Sequence, residues 1–466
     1  MNPLRVVRAQ QMPDAPHVPV AIVGAGACGL MVALRLRDEG VECVLLERDA
    51  VPSGSTALSS GFIPAAGTRL QKSLAIEDSI EMFAQDVQAK AHGDAAPHLV
   101  AAYTQAAAQG IDALEQRHGI RFEILDGFLY PGHRARRMHA VPERTGAALM
   151  TQMEAAATRA GADILTEALA RELWINAEGR ILGVAYERPG GALEYLACDV
   201  LVLACNGFGG NTAMVAELLP AMRSAVFGGH AGNDGSAIRW GQQLGARLAD
   251  MGGYQGHGSW AVPHNALMSW AMVMEGGVQI NTSGARFHDE TQGYSEAAVH
   301  VLDQPGGVAW NVIDTPLLEM ARGFPDFVAA EQAGALKSAA DETALAQLIG
   351  CDETILRVTL RTVRPGGPDS FGRNFKRKLN PPYYAVKVTG ALFHTQGGLD
   401  IDAQCRVLRQ DGRPFPNLLA AGGAARGVSG NAVWGYLSGN GLLSAIGGGW
   451  VAAGTALGAT SASGGR

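Results

Sequence analysis

The hydrophobic pattern is densest at the start, from Val20 to Arg48: VAIVGAGACGLMVALRLRDEGVECVLLER. A continuous apolar run, a glycine-rich turn, a helical stretch and a second apolar run predict strand, helix and strand. The period is helical over Ile76–Gly119 (Ile80, Phe83, Val87; Leu99, Tyr103, Ile111, Leu114) and again over Thr145–Gly161. Ala162–Glu187 reads as a strand and a hairpin turning at Glu178-Gly179, and Val200–Asn211 as a buried strand opening into a second glycine-rich turn. A helix follows Asp234-Gly235. Between Asp250 and about Pro381 the tryptophans, tyrosines and histidines become denser (His257, Trp260, His264, Trp270, His288, Tyr294, His300, Trp310), which reads as a second domain. The first style returns at the end: Pro381–Val388, Gly397–Asp402 and Asn417–Gly423 read as strands, and Val433–Gly454 as a turn feeding a last helix.

The first of these stretches has the chemistry of a dinucleotide site. Gly24 permits the tight turn, Gly26 lets the backbone approach a pyrophosphate, and Gly29 lets the helix pack on the sheet. The helix N-terminus then faces the phosphates. Glu47 closes the second strand, where a carboxylate accepts from both hydroxyls of an adenosine ribose and disfavours a 2′-phosphate. The residues alone leave the identity of the dinucleotide open.

Composition narrows the partners. A chain of 466 residues suits two domains, and a formal net charge of −7 with pI near 6.0 offers no field for nucleic acid. The densest basic run, Arg134–Arg137, reads as a solvated loop. Six scattered cysteines without C-x-x-C spacing read as reduced core residues, and no metal-ligand spacing occurs. The first seventeen residues lack an apolar h-region and no later stretch reads as a membrane span, so a soluble cytoplasmic protein is expected.

Several polar positions are candidates for ligand contact. In Val51–Thr68, Ser55, Thr56, Ser60 and Gly61 can present amides and hydroxyls to a phosphate or ring; the alternative is an ordinary Ser/Gly surface loop. Asn206 and Gly207 can close over a bound cofactor. Asp234 is either a plain helix cap or marks a helix start against the cofactor. The last helix begins with glycines and Asn440, leaving amides free for a ligand.

Together these pieces resemble the FAD-binding family that contains fumarate reductase flavoprotein subunits and 3-ketosteroid dehydrogenases. The motifs are GAGACG at Gly24–Gly29, STALSSG at Ser55–Gly61, NDG at Asn233–Gly235, EGGVQINTSGARFHDE at Glu275–Glu290, PPYYAVKV at Pro381–Val388, HTQGGLDID at His394–Asp402 and SGNGLLSAIGGG at Ser438–Gly449. The resemblance implies an α/β fold, a Rossmann-type FAD-binding domain with an inserted α+β capping (catalytic) domain. It places the FAD domain at 18–250 and 381–457 and the capping domain at 251–380, with 1–17 and 458–466 as flexible tails. It also implies FAD contacts from Arg48, Gly422, Gly423, Gly439 and Leu442. The STALSS segment has no histidine where respiratory fumarate reductases attach flavin covalently, so FAD is expected to be non-covalent.

Departures from the fumarate pattern set the expected chemistry. Tyr294, Trp270 and Val273 stand where fumarate reductases carry a proton-donating arginine and the Glu and Arg that feed it, and Tyr436 replaces the arginine that clamps a carboxylate. Within the resemblance, Trp434-Gly-Tyr-x-Ser438-Gly is similar to the Δ4-(5α) branch of ketosteroid dehydrogenases, in which two tyrosines and a serine carry the reaction. That implies catalytic roles for Tyr294, Tyr436 and Ser438, and substrate contacts from His257, His394 and Trp434. The expected reaction is desaturation beside a ring ketone, either a 3-oxosteroid or a smaller cyclohexanone-type compound, by α-proton abstraction and hydride transfer to flavin N5. The expected partners are the ketone and an electron acceptor: quinone, electron-transfer flavoprotein or oxygen. An ene reductase and a non-catalytic electron-transfer subunit are the alternatives. Tyrosine, with an unperturbed pKa of about 10, needs help to act as a base. Taken singly, each tyrosine or histidine is equally a packed core residue with satisfied polar atoms.

Overall fold

In the computed structural model, which describes residues 2–126 and 129–463, the chain divides into two compact units. One comprises the chain up to Met214, Gly229–Tyr254 and everything from His394 onward; the other comprises Val215–Gly228 and Gln255–Phe393.

The first unit is organised on a nine-stranded sheet. Its strand His17–Val23 runs parallel to Cys43–Leu46 on one side (Val20 opposite Cys43) and to Leu193–Leu203 on the other (Val23 opposite Leu203). Val20, Ala21 and Ile22 are fully buried, as a strand covered on both faces requires, which is why they read as an unbroken apolar run. The helix Ala27–Asp38 packs against the last helix, Asn440–Ser463, which also packs on Pro97–Gln116. Glycines make these approaches possible: a Cβ at Gly447 would lie 2.7 Å from the Tyr103 carbonyl oxygen, and one at Gly449 would lie 2.8 Å from that of Cys28.

Three expectations are corrected in this unit. Asn440–Ser461 is long and apolar enough to cross a membrane by length and composition, but 56% of its most apolar window is buried inside the fold, where it serves helix packing. The assignment of 1–17 and 458–466 as tails fails in part, because Arg5–Arg8 pairs in parallel with Leu169–Ile175 and the last helix continues to Ser463. Met1 and residues 464–466 lie outside the described residues. The basic run is a solvated loop only in part: Arg134 and Arg136 are exposed, and Arg137 is not. Arg137 is fully buried, forked onto Asp78 (2.9 and 3.0 Å), bonded to Asp86 (2.7 Å) and stacked over Phe83. Carboxylates from separate parts of the chain satisfy it, which local composition does not show.

The second unit is built on a seven-stranded sheet whose strand Val308–Asp314 pairs antiparallel with Val278–Ile280 and with Tyr383–Thr395. The last of these corrects the boundary at 381. Tyr383 to Thr389 bonds residue by residue to Asp314–Val308, so its first part belongs with the second unit. Val226 pairs with Ala391, which draws Val215–Gly228 into the same unit. Glu290 is buried here and fixed by Arg286 and Arg373, the latter at 2.9 Å.

Candidate functional site

The glycine-rich turn has three glycines with three different environments. Gly24 has φ +103°, and a Cβ there would lie 2.6 Å from the Ala204 carbonyl oxygen. At Gly29 a Cβ would lie 1.9 Å from the Gly24 oxygen, so the helix seats on its own turn only without a side chain. Gly26 is different: a Cβ there meets nothing within 4 Å. The protein has no packing need for glycine at Gly26, and the open space in front of it, at the start of a twelve-residue helix, suits a pyrophosphate.

Glu47 is 6% exposed at the end of the neighbouring strand. Its Oε2 accepts the Ala25 amide (3.0 Å) and its Oε1 the Asp49 amide (3.0 Å), which ties the acid to the glycine turn and leaves lone pairs for hydroxyl donors. Arg48 donates to the Gly232 carbonyl at 3.1 Å. Asp234 accepts from the amide and hydroxyl of Ser236, 3.0 and 2.5 Å, but it precedes the N-cap, which is Gly235 in the left-handed region at φ +81° without a side-chain cap bond, so the plain-cap reading of Asp234 does not hold.

A second group forms around Ser55. Its hydroxyl oxygen accepts from Asn206 Nδ2 (3.2 Å) and Asn233 Nδ2 (2.8 Å). Asn206 takes φ +66°, its Oδ1 accepts from the Gly207 amide, and a Cβ at Gly423 would lie 2.1 Å from the same Oδ1. Four separated segments therefore converge: the hydroxyl-rich stretch, the second glycine turn, the NDG turn and the Gly422-Gly423 turn. Thr56 lies in the short Gly54–Ala57 helix, where its carbonyl accepts from the Ser59 hydroxyl. Ser60 and Gly61 follow that helix, Gly61 with φ +72° and its backbone against Gly146. Asn233 belongs to the NDG motif but carries no sequence signal of its own. Its burial, at 3% exposed, shows only in three dimensions.

A third group lies at the start of the last helix. Gly439 (φ +90°) turns the chain beside Pro64, and Leu442 packs partly buried against the core. The Tyr436 phenol oxygen accepts the amide N–H of Gly441 at 3.4 Å, and its ring meets the His394 ring edge-on with centroids 5.4 Å apart. His394 Nε2 faces the same backbone, since a Cβ at Gly441 would lie 2.6 Å from it. Loss of solvation pushes the His394 pKa down to about 4, so the ring is neutral at pH 7. Ser438 is buried, and its carbonyl accepts from His133 Nε2 at 2.9 Å. Trp434, expected at the substrate, is 48% exposed and stacks on His92.

In the second unit Tyr294 begins the helix Tyr294–Leu302, and its ring stacks on His257 with centroids 4.8 Å apart and 19° between planes. Trp270 meets the same histidine edge-on. His257 Nδ1 accepts the Ser259 amide at 3.2 Å, and burial pushes its pKa down to about 3. It is therefore a neutral imidazole that keeps its proton on Nε2.

A glycine turn with one unexplained open glycine, a buried acid at the next strand end and a helix start carrying a phenol define a dinucleotide-binding oxidoreductase. The chain belongs to the FAD binding domain family, whose model matches residues 19–442. The protein binds FAD and is a flavoprotein oxidoreductase. It is 27% identical over 88% of its length to the NADH:fumarate oxidoreductase of Klebsiella pneumoniae, and the match covers 45% of that relative. It is 24% identical to the 4-oxocyclohexanecarboxylate 2-dehydrogenase of Sinomonas cyclohexanicum, with 87% of each chain covered. Among solved structures, the open conformation of a flavocytochrome c3 fumarate reductase superposes with TM-score 0.79 at 25% identity, covering 96% of this chain and 79% of that one. The 3-ketosteroid-Δ4-(5α)-dehydrogenase of Rhodococcus jostii RHA1 superposes with TM-score 0.77 at 22% identity, covering 98% and 99%.

Proposed function

We propose that the protein is an FAD-dependent dehydrogenase that introduces a carbon–carbon double bond next to a ring ketone. The observation that carries this reading is the bond from the Gly441 amide to the Tyr436 oxygen at the N-terminal turn of a 24-residue helix. An N–H aimed at a phenol oxygen, at the positive end of a helix, stabilises the ionised phenol that α-proton removal requires. Tyr436, with Ser438 close in sequence, takes the proton; Tyr294 polarises the ketone oxygen, a role carried over from the resemblance. Bound FAD, held non-covalently by the glycine turn and Glu47, supplies the hydride acceptor.

The neutral histidines His257 and His394 favour an oxygen-bearing monocyclic ketone, such as an oxocyclohexanecarboxylate, over a bare steroid: neutral imidazoles donate hydrogen bonds to carbonyl or carboxylate oxygens without needing a counter-ion. The relative named for 4-oxocyclohexanecarboxylate supports the same choice. A reductive reading is favoured by the relative named for fumarate. It loses ground because tyrosines replace the arginines of that chemistry at residues 294 and 436. Anaerobic mixing of the oxidised protein with monocyclic and steroidal ketones distinguishes the two. Bleaching of the flavin band by a saturated ketone is expected; reoxidation of reduced flavin by enones, with no bleaching by any saturated ketone, overturns the proposal.

A further inference from the structure

Behind His394 lies a chain of buried polar groups that the reaction above does not use. Asn440 Nδ2 donates to Ser429 Oγ (2.9 Å), Ser429 Oγ donates to Gln396 Oε1 (2.8 Å), and Gln396 Nε2 lies 3.2 Å from His394 Nδ1. Asn440, Ser429 and Gln396 are 0%, 1% and 3% exposed, so each group must find its partner inside the protein. The three segments that supply them are the HTQGG strand end, the loop before the phenol and the first turn of the last helix.

The direction of the chain decides where the His394 proton sits. A serine hydroxyl has one proton, and here its oxygen already receives the Asn440 amide, so that proton goes to Gln396 Oε1. The Gln396 Nε2 then faces His394 and can only donate, which makes Nδ1 the acceptor. Reversing every bond would place a proton on Nδ1, shared with the Thr395 carbonyl 3.3 Å away. The reversed chain turns the Asn440 amide round. In the orientation described, the atom left without a partner is its oxygen, Oδ1. Reversed, a buried NH2 group would be left in its place, and an orphaned buried donor is rarer than an under-satisfied carbonyl.

We infer that Gln396, backed by Ser429 and Asn440, is a positioning residue that fixes His394 as the Nε2–H tautomer. His394 thereby presents a hydrogen-bond donor, not a base, on the side of the ring that faces Gly441 and Tyr436. The site then selects an oxygen acceptor on the substrate, a ketone or carboxylate, and proton removal is left to the phenol. This rests on the reading of His394 as a substrate-facing group, but the tautomer itself does not.

The test uses 15N-histidine-labelled holoenzyme without substrate, with His394 assigned by the signals lost in His394→Gln. Proton-coupled 15N spectra are expected to show Nε2 protonated and Nδ1 bare. In Gln396→Glu the carboxylate can only accept, so the proton is expected to move to Nδ1 while FAD content is retained. KM for 4-oxocyclohexanecarboxylate should then rise about ten-fold, the equivalent of one hydrogen bond, with kcat changing less. A wild-type ring protonated at Nδ1, or a tautomer unmoved in Gln396→Glu, overturns the inference. Should Gln396→Glu lose its flavin, Ser429→Ala serves instead: it frees the Gln396 amide to rotate, both tautomers are expected, and a single unchanged tautomer overturns the inference. The predicted tautomer in a protein that oxidises no ketone refutes the proposed function and leaves this inference standing.

Discussion

Replacing Tyr436 by Phe separates chemistry from architecture. Tyr436 is 5% exposed, and its ring contributes an edge-on contact with His394 that phenylalanine keeps in full. What is removed is one oxygen, and with it the bond it accepts from the Gly441 amide. At 3.4 Å that bond is long, so its loss costs about 1 kcal/mol of stability at most, and the melting temperature and flavin content should barely change. The kinetic effect is much larger. General-base catalysis contributes about 10²–10⁴-fold, so the anaerobic rate of flavin bleaching by a ketone substrate should fall by that factor, equivalent to about 3–5 kcal/mol of barrier. Stopped-flow absorbance under substrate saturation measures the step directly and separates it from reoxidation. A Tyr436→Phe protein that still bleaches within about ten-fold of the wild-type rate refutes Tyr436 as the base.

Four further outcomes follow from the geometry. Gly26→Ala should leave the apoprotein nearly as stable as wild type, because nothing stands within 4 Å of the added carbon, yet sharply weaken FAD uptake in a fluorescence titration; unchanged affinity would remove the pyrophosphate assignment. Glu47→Gln turns an NH2 towards one of two backbone amides and should weaken FAD by about ten- to a hundred-fold through loss of charge-assisted bonds, read as FAD release on dilution. Arg137→Met leaves Asp78 buried without its cation, while Asp86 keeps Arg134, and should cost about 3–5 kcal/mol in urea unfolding; a loss below about 1 kcal/mol would show that water reaches Asp78. His133 and His139 are pushed down to about 4 by burial, below the ordinary value near 6.5, so their neutral folded forms contribute stability above pH 6.5 that is lost as pH falls towards 4. Each should remove about 1.4 kcal/mol per pH unit across that window, and a urea midpoint that holds constant from pH 7 to pH 5 contradicts it.

The sequence by itself determined the elements whose physics is local. Val20–Val23 shows as a strand because both its faces are buried, and Gly24, Gly26 and Gly29 show as a turn because their spacing follows from chain geometry. The resemblance supplied FAD, which the family match supports, and a two-domain plan; the chain does divide into two compact units, with bounds other than those expected. Only the tertiary structure decided which polar groups are buried and what satisfies them. In sequence Arg137 is one more surface arginine, and only the closing of two distant carboxylates buries it; Tyr383–Thr395 reads as a return to the first domain, and only its ladder to Val308–Asp314 puts its first part in the second unit. Asn233, Gln396 and Ser429 carried no signal of their own, since an amide or hydroxyl has the same composition on a surface as in a core. Their roles come from partners as far as 178 residues away, as for Asn233 and Ser55, and no local pattern encodes a hydrogen bond of that range.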